Sequence, residues 1–438
     1  MIMDRRKALF VALVVSSLFF AFSWLPAPRL FDIACILLIL LFVPLTLTPG
    51  ARRLRRDPTI LLAMCFFSYI VVSIIWHRLT LPDIFPPTTS DRRFLRVLYF
   101  IAIAYAIARG GLITAWHLLV VALSGLLVYL AISFDPNEWL RAWQGHRVDF
   151  GIHNAQHTGV VFATCAIAFC VFTPRCIVWT RRMPPAARAI CILCWTAALL
   201  FSLWGVFVSQ TRGVWLGLSI TLLLLPALLY SAQLLRDKPL LSLRKPLLAG
   251  LAGMVVIGLV ATHLDWHRLV SDRLASETVT WESLRQAAAH KEHDLSSIEI
   301  RVASWSAATD WIMEKPFMGW GGRGSRPLIR NSDLFSDAFK KQFNHLHNSY
   351  LQVLVEIGLL GALFILALIV LLGRASIKAY QRHSMPMDVF LFAWLFFPFW
   401  LVVNIFESYI IYPSGTYLVA IVVSFFYSFC LQDRALSR

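Results

Sequence analysis

Three features predict an all-α, polytopic membrane protein: an apolar excess, long unbroken apolar runs, and positive charge gathered in alternate connections. Of the 438 residues, 58% are hydrophobic and 15% charged, with a mean hydropathy of +0.69. A soluble domain carries about 45–50% apolar and about 25% charged residues. Apolar area beyond what a core can hide would drive a water-facing chain to aggregate. The composition excludes a soluble enzyme, a disordered chain and a disulfide-stapled secreted domain. Continuous apolar runs exclude a β-barrel, whose strands alternate.

A helix needs about 20 mostly apolar residues to cross about 30 Å of hydrocarbon. Windows of about 19 residues give about twelve spans, near 8–25, 30–47, 59–78, 94–109, 112–133, 155–173, 188–208, 213–231, 246–264, 349–372, 388–407 and 414–431. With the N-terminal Arg5, Arg6 and Lys7 inside, the inner connections carry Arg52, Arg53, Arg55 and Arg56, then Arg175, Arg181 and Arg182. They continue with Arg236, Lys238, Arg244 and Lys245, then Arg374, Lys378 and Arg382, and a tail with Arg434 and Arg438. Both ends inside therefore satisfies the positive-inside rule. The chain divides into spans one to nine (1–264), one large outer loop (265–348) and spans ten to twelve (349–438). A loop that long is exempt from the charge rule. The first apolar stretch lacks a small-residue cleavage site and reads as an uncleaved anchor.

The eight cysteines fall in spans or inner connections, so no outer disulfide is expected. Cys191 and Cys194 form a C-x-x-C inside an apolar helix and read as small buried hydrophobes. The net charge of +16 resides mostly in inner connections, where it sets orientation and meets anionic membrane lipids. No basic stripe interleaved with aromatics argues for a nucleic-acid partner.

Outer charges are the informative ones. Arg212 lies in Ser209-Gln210-Thr211-Arg212-Gly213, a tight hairpin between two spans, where an ionised group is costly unless it works. Arg147 belongs to a dense polar run from Gly145 to Asn154 that includes His146, Asp149 and His153 and runs on to His157. Arg92, Arg93 and Arg96 form a third group, readable as an interfacial anchor. Guanidinium forks match phosphate oxygens bidentately, so outer arginines with few carboxylates suit a lipid-linked pyrophosphate. The outer connections lack an Asp-x-Asp or a tight His/Glu ligand set, so no metal and no cofactor are expected.

The large loop reads as structured. Ser296-Ser297-Ile298-Glu299 is a capping box opening a helix. Ile298, Val302, Trp305, Thr309 and Ile312 recur on one face, and Pro316 stops it. Arg301 stands in its first turns. Gly319, Gly321, Gly322 and Gly324 follow without a preceding strand, which argues against a dinucleotide fingerprint. They predict a turn whose backbone closely approaches lipid or sugar. The most specific signal comes where the chain re-enters the membrane. His347-Asn348, nine residues, then Gly358-Leu359-Leu360-Gly361 give H-N-x9-G-x-x-G, the glycines sharing a face suited to close helix packing.

With these motifs the chain resembles the O-antigen ligase and polymerase superfamily of bacterial envelope enzymes. That superfamily carries many spans, one large periplasmic loop and an H-[NSQ]-x9-G-x-x-[GTY] motif, met from His347 to Gly361. Its hairpin arginine is matched by Arg212. Its second loop arginine, ahead of a Trp and a Pro-x-x-Gly-x-Gly run, is matched by Arg301, Trp305 and Pro316 to Gly321 at approximate spacing. A looser Arg-to-Asn stretch is matched by Arg147 to Asn154. The likeness runs from about residue 140 onward.

The resemblance implies a membrane-embedded glycosyltransferase of the GT-C type in the bacterial inner membrane, with a periplasmic active site. The donor would be undecaprenyl-pyrophosphate-linked O-antigen and the acceptor a hydroxyl of lipid A-core, joined with inversion. Imidazole titrates near neutral pH, which suits His347 as general base. Arg212, Arg301 and Arg147 would offset charge on the departing pyrophosphate, the three meeting His347 in one cavity. His345 would support at most. Chain length and a single large loop favour the ligase over an O-antigen polymerase. A lipid-linked glycan flippase or transporter would fit less well, because such proteins often show related halves and none is visible.

Overall fold

The computed structural model describes residues 5–48, 51, 54–82, 93–236, 297–333, 335, 337–342 and 344–436. Among them the regular structure is helical throughout. The elements are α1 (Arg5–Ser23), α2 (Pro28–Leu47), α3 (Pro58–Thr80), α4 (Tyr99–Gly110), α5 (Ala115–Ile132), α6 (Pro136–Trp143), α7 (Ala155–Thr180), α8 (Pro185–Val208) and α9 (Arg212–Leu234). After the undescribed stretch come α10 (Ser297–Glu314), α11 (Ser325–Asn331), α12 (Asp337–Gln342), α13 (Ser349–Gln381), α14 (Met387–Phe406) and α15 (Pro413–Leu436).

Ten of these are long and apolar enough to cross a membrane, and they coincide with ten of the expected spans. The expected ninth span, 246–264, lies outside the described residues, as do positions 265–296 of the large loop. The expected fourth span is a 3-10 turn, Phe94–Leu98, running into the 12-residue α4. At about 2.0 Å per 3-10 residue and 1.5 Å per α residue the pair is roughly 28 Å long. Residues Phe100 to Ile107 are buried in sequence, without an exposed face, as an all-apolar interior helix should be.

The chain forms two compact units. The first comprises residues 1–134, 307–386 and 404–438. In it α1 packs on α2, α4 and α5, and α15 packs on α4. Phe20, Phe31 and Tyr417 interlock there, and Tyr417 donates its hydroxyl proton to the Ala21 carbonyl. The second unit comprises 135–306 and 387–403. There α7 lies along α8, Trp139, Phe150, Phe201 and Trp204 hold α6 against it, and Arg175 Nη2 pairs with Asp388 Oδ1 at 2.7 Å.

Helix α13 is not continuous. Gly358 breaks it with φ 64° and ψ −173°, which frees N–H groups from their usual carbonyls. The turn after α10 supplies replacements: Leu359 N donates to Pro316 O at 2.8 Å and Leu360 N to Phe317 O at 3.1 Å, while Trp320 N donates to Val355 O at 2.8 Å. A Cβ on Gly358 would lie 2.3 Å from the Phe317 oxygen. One expectation is corrected here. Gly358 and Gly361 do not form one packing face, because the first is the break itself. The 319–324 turn makes a close approach to α13, because buried backbone groups must be satisfied somewhere.

Helix α10 ends two residues before Pro316, but its buried face is Ala303, Ser304, Ala307, Ala308 and Trp311, one position round from the expected stripe. Small side chains allow the closest contact, so the larger Trp305 and Ile312 sit at the margin and Thr309 is exposed. Cys194 is also exposed, beside Leu193 on the outer face of α8. It is apolar without being buried, as a lipid-facing position permits.

Candidate active site

Asn348 caps α13: its Oδ1 accepts from Tyr350 N at 2.9 Å and Leu351 N at 3.1 Å. That fixes the preceding residue, His347, in the left-handed region at φ 50°. The cap is fastened to the turn after α14. Asn348 N donates to Ser408 Oγ at 3.1 Å, and Ser349 Oγ donates to the Glu407 carbonyl at 3.0 Å and to Asn404 Oδ1. Leu346 N donates to Gln352 Oε1 at 3.0 Å.

This fastening converges three ionisable groups within the first unit. His347 Nδ1 donates to Glu407 Oε2 at 3.3 Å, and His345 Nε2 lies 3.0 Å from Glu407 Oε1. The two imidazole centroids are 4.1 Å apart, and the Tyr412 hydroxyl is 3.1 Å from His345 Nδ1. Ser408 N donates to Glu407 Oε1 at 2.7 Å. Glu407 is 1% exposed. Burial alone would raise its pKa, but hydrogen bonds and charge from the two imidazoles outweigh it and hold the carboxyl well below the usual range. Burial and that carboxylate push the Tyr412 phenol up.

The carboxylate orients His347. With Nδ1–H given to Glu407, Nε2 is the basic nitrogen, and a positive ring formed on proton capture is stabilised. The expectation that no tight His/Glu set exists is corrected. One donor atom from each of His345, His347 and Glu407 lies within 4.8 Å of the others, spacing that could hold a divalent cation. The set escaped the sequence because its members are about sixty positions apart.

The other expected site residues belong to the second unit. Arg147, between α6 and α7, donates from Nε to Ser209 O at 3.2 Å. Gln210 Nε2 donates to Gly145 O at 2.7 Å and Thr211 Oγ1 to Ala155 O at 3.1 Å. The loop of Arg147 and the hairpin of Arg212 are thus tied together, with Arg212 half-buried at the start of α9. Arg301 is half-buried in the first turns of α10. Much of the polar run 145–157 folds its own loop. Glu138 Oε1 accepts from Asp149 N and Phe150 N, Asn154 caps α7, and the His153 and His157 rings meet at 4.6 Å.

Arg92 lies outside the described residues. Arg93 does not act as an interfacial anchor: its Nη2 donates to both oxygens of Glu356, at 2.9 and 2.8 Å. Gln352 Nε2 donates to Glu356 Oε1 at 2.7 Å and Ser325 Oγ does so at 2.8 Å. Sequence reasoning missed Glu407, Tyr412 and Glu356. The available signal was a lone carboxylate inside or at the end of an apolar helix, costly unless partnered.

Fold and site define a multi-pass helical membrane protein with a histidine–carboxylate centre at the mouth of a spanning helix. Residues 197–366, which include Arg212, Arg301 and His347, match the O-antigen ligase family model. Its members are membrane glycosyltransferase-like ligases and polymerases that act on lipid-linked glycans. No curated protein matches the chain.

Proposed function

We propose that the protein is an O-antigen ligase, transferring polysaccharide from undecaprenyl-pyrophosphate to a hydroxyl of lipid A-core at the periplasmic face of the inner membrane. The observation that carries this reading is His347 held through Nδ1 by the buried carboxylate of Glu407. The acceptor oxygen attacks the anomeric carbon as the bond to pyrophosphate breaks. The hydroxyl proton passes to His347 Nε2, and the bonding pair leaves with pyrophosphate. Attack opposite the leaving group inverts the centre. A general base contributes about 10²–10⁴-fold. Arg212 and Arg301, with Arg147, offset the leaving charge, an effect often worth about 3–4 kcal/mol per donor. Guanidinium groups in that role make a metal unnecessary.

The test is reconstitution of purified protein with lipid-linked donor and EDTA, offered either lipid A-core or a second lipid-linked glycan. Ligated lipid A-core is the expected product. Elongation of the lipid-linked glycan instead would assign the polymerase. Movement of the donor across the bilayer without a new glycosidic bond would assign a flippase.

A further inference from the structure

The geometry points to a phosphate-binding site in the first unit, formed by Arg93, Arg96, Arg323 and Arg326 around the buried carboxylate of Glu356, separate from the arginines assigned to pyrophosphate above. The carboxylate is already engaged. Its oxygens accept from Arg93, Ser325 and Gln352, and the residue is 0% exposed. Arg93 is not satisfied by it. The side chain is 13% exposed, and its buried Nε has no hydrogen-bond partner. A buried guanidinium N–H without a partner is a donor awaiting an acceptor.

Arg323 is directed to the same place. It stands in the turn fastened to the break in α13, and it holds a left-handed backbone at φ 64° between Gly321 and Gly324. A non-glycine residue there is uncommon, and such strain concentrates at functional sites. Two residues on, Ser325 donates to Glu356 Oε1 at 2.8 Å, which brings the turn beside Arg93. Partial desolvation of an otherwise exposed side chain lowers the Arg323 pKa. Arg93, Arg326 and Arg96 lower it further, with Glu356 the opposing charge. Four guanidinium groups against one carboxylate leave three positive charges, which repel one another until an anion arrives. Phosphate is the chemistry that planar forks recognise in pairs. The group can be carried on a lipid headgroup or come free in solution.

The experiment uses the full chain in neutral-detergent micelles. Inorganic phosphate and, separately, dodecyl phosphate are titrated at fixed ionic strength while the thermal midpoint is followed. The Arg323→Ala/Arg326→Ala variant removes two exposed cations and leaves the buried Arg93–Glu356 pair intact. Arg330→Ala/Lys340→Ala is the charge-matched control, and Arg212→Ala tests the other site. Wild type should be stabilised by phosphate. The Arg323/Arg326 variant should bind at least about tenfold more weakly, with the charge-matched control unchanged, and Arg212→Ala should retain the share of the response that Arg323 and Arg326 carry. A response to both probes marks a soluble source, and a response to dodecyl phosphate alone a headgroup. No stabilisation of wild type by either probe would overturn the site. So would an equal loss in the charge-matched control, or a loss in Arg212→Ala with none in the Arg323/Arg326 variant. The readout is binding, so it stands whether or not the ligase assay succeeds.

Discussion

A carboxylate buried at the end of an apolar helix stays ionised only if donors surround it. Glu407 is met by the imidazoles of His345 and His347 and by Ser408 N. Glu407→Gln keeps the shape and removes the charge that orients His347. Loss of such supporting partners typically costs about 10–100-fold, and here it should appear in kcat with the donor KM little changed. His347→Ala should lower kcat by about 10²–10⁴-fold. Activity retained in His347→Ala would remove that imidazole from the chemistry. The folded pKa of Glu407 is depressed. Its stabilisation is therefore complete above the unfolded value of about 4.3 and is lost as pH falls toward the folded one. Melting curves between neutral pH and pH 3 should show a smaller acid loss for Glu407→Gln than for wild type. At this scale His347 was legible in the sequence because its motif is contiguous. Glu407 was not, because sixty intervening residues leave no periodic trace of the pairing.

Helix boundaries are set by where backbone groups find partners. At Gly358 the partner is another segment: Leu359 N and Leu360 N bond the carbonyls of Pro316 and Phe317. Gly358→Ala would combine a positive φ with a Cβ 2.3 Å from backbone oxygen. Gly111→Ala, at φ 60° with nothing within 4 Å, isolates the conformational cost, about 1–2 kcal/mol. The first variant should therefore melt well below the second. Equal losses would mean the turn at Phe317 yields to the added methyl. The Arg175–Asp388 pair joins α7 to α14 with both side chains mostly buried, at 24% and 17% exposure. Asp388→Asn leaves a charge poorly compensated and should cost about 1–2 kcal/mol, between surface and buried limits. Arg175→Met/Asp388→Leu should recover most of that loss in a thermal melt. The helices were legible as apolar runs, whereas the break at Gly358 was read as a packing face. A glycine in a helical pattern carries both meanings until its neighbour is known.

Across the whole molecule, the positive-inside rule predicts that Asp333 and the mouth of α13 lie outside and the α7–α8 connection inside. With native cysteines replaced, Asp333→Cys should react with an impermeant maleimide in intact spheroplasts. Met183→Cys should react only after permeabilisation. The reverse pattern would put the imidazoles on the cytosolic side and end the ligase reading. By itself the sequence determined that the chain is helical, that it carries many apolar spans, and that His347 heads one of them. Each of these depends on composition or on residues a few positions apart, and a helix satisfies its backbone within its own segment. Only the tertiary structure decided that Glu407 orients His347 and that Arg93 and Ser325 share Glu356. It alone closed the loop of Arg147 onto the hairpin of Arg212. Those bonds join residues dozens to hundreds of positions apart. Their lengths and directions are fixed by how helices pack, a property that no local pattern of side chains encodes.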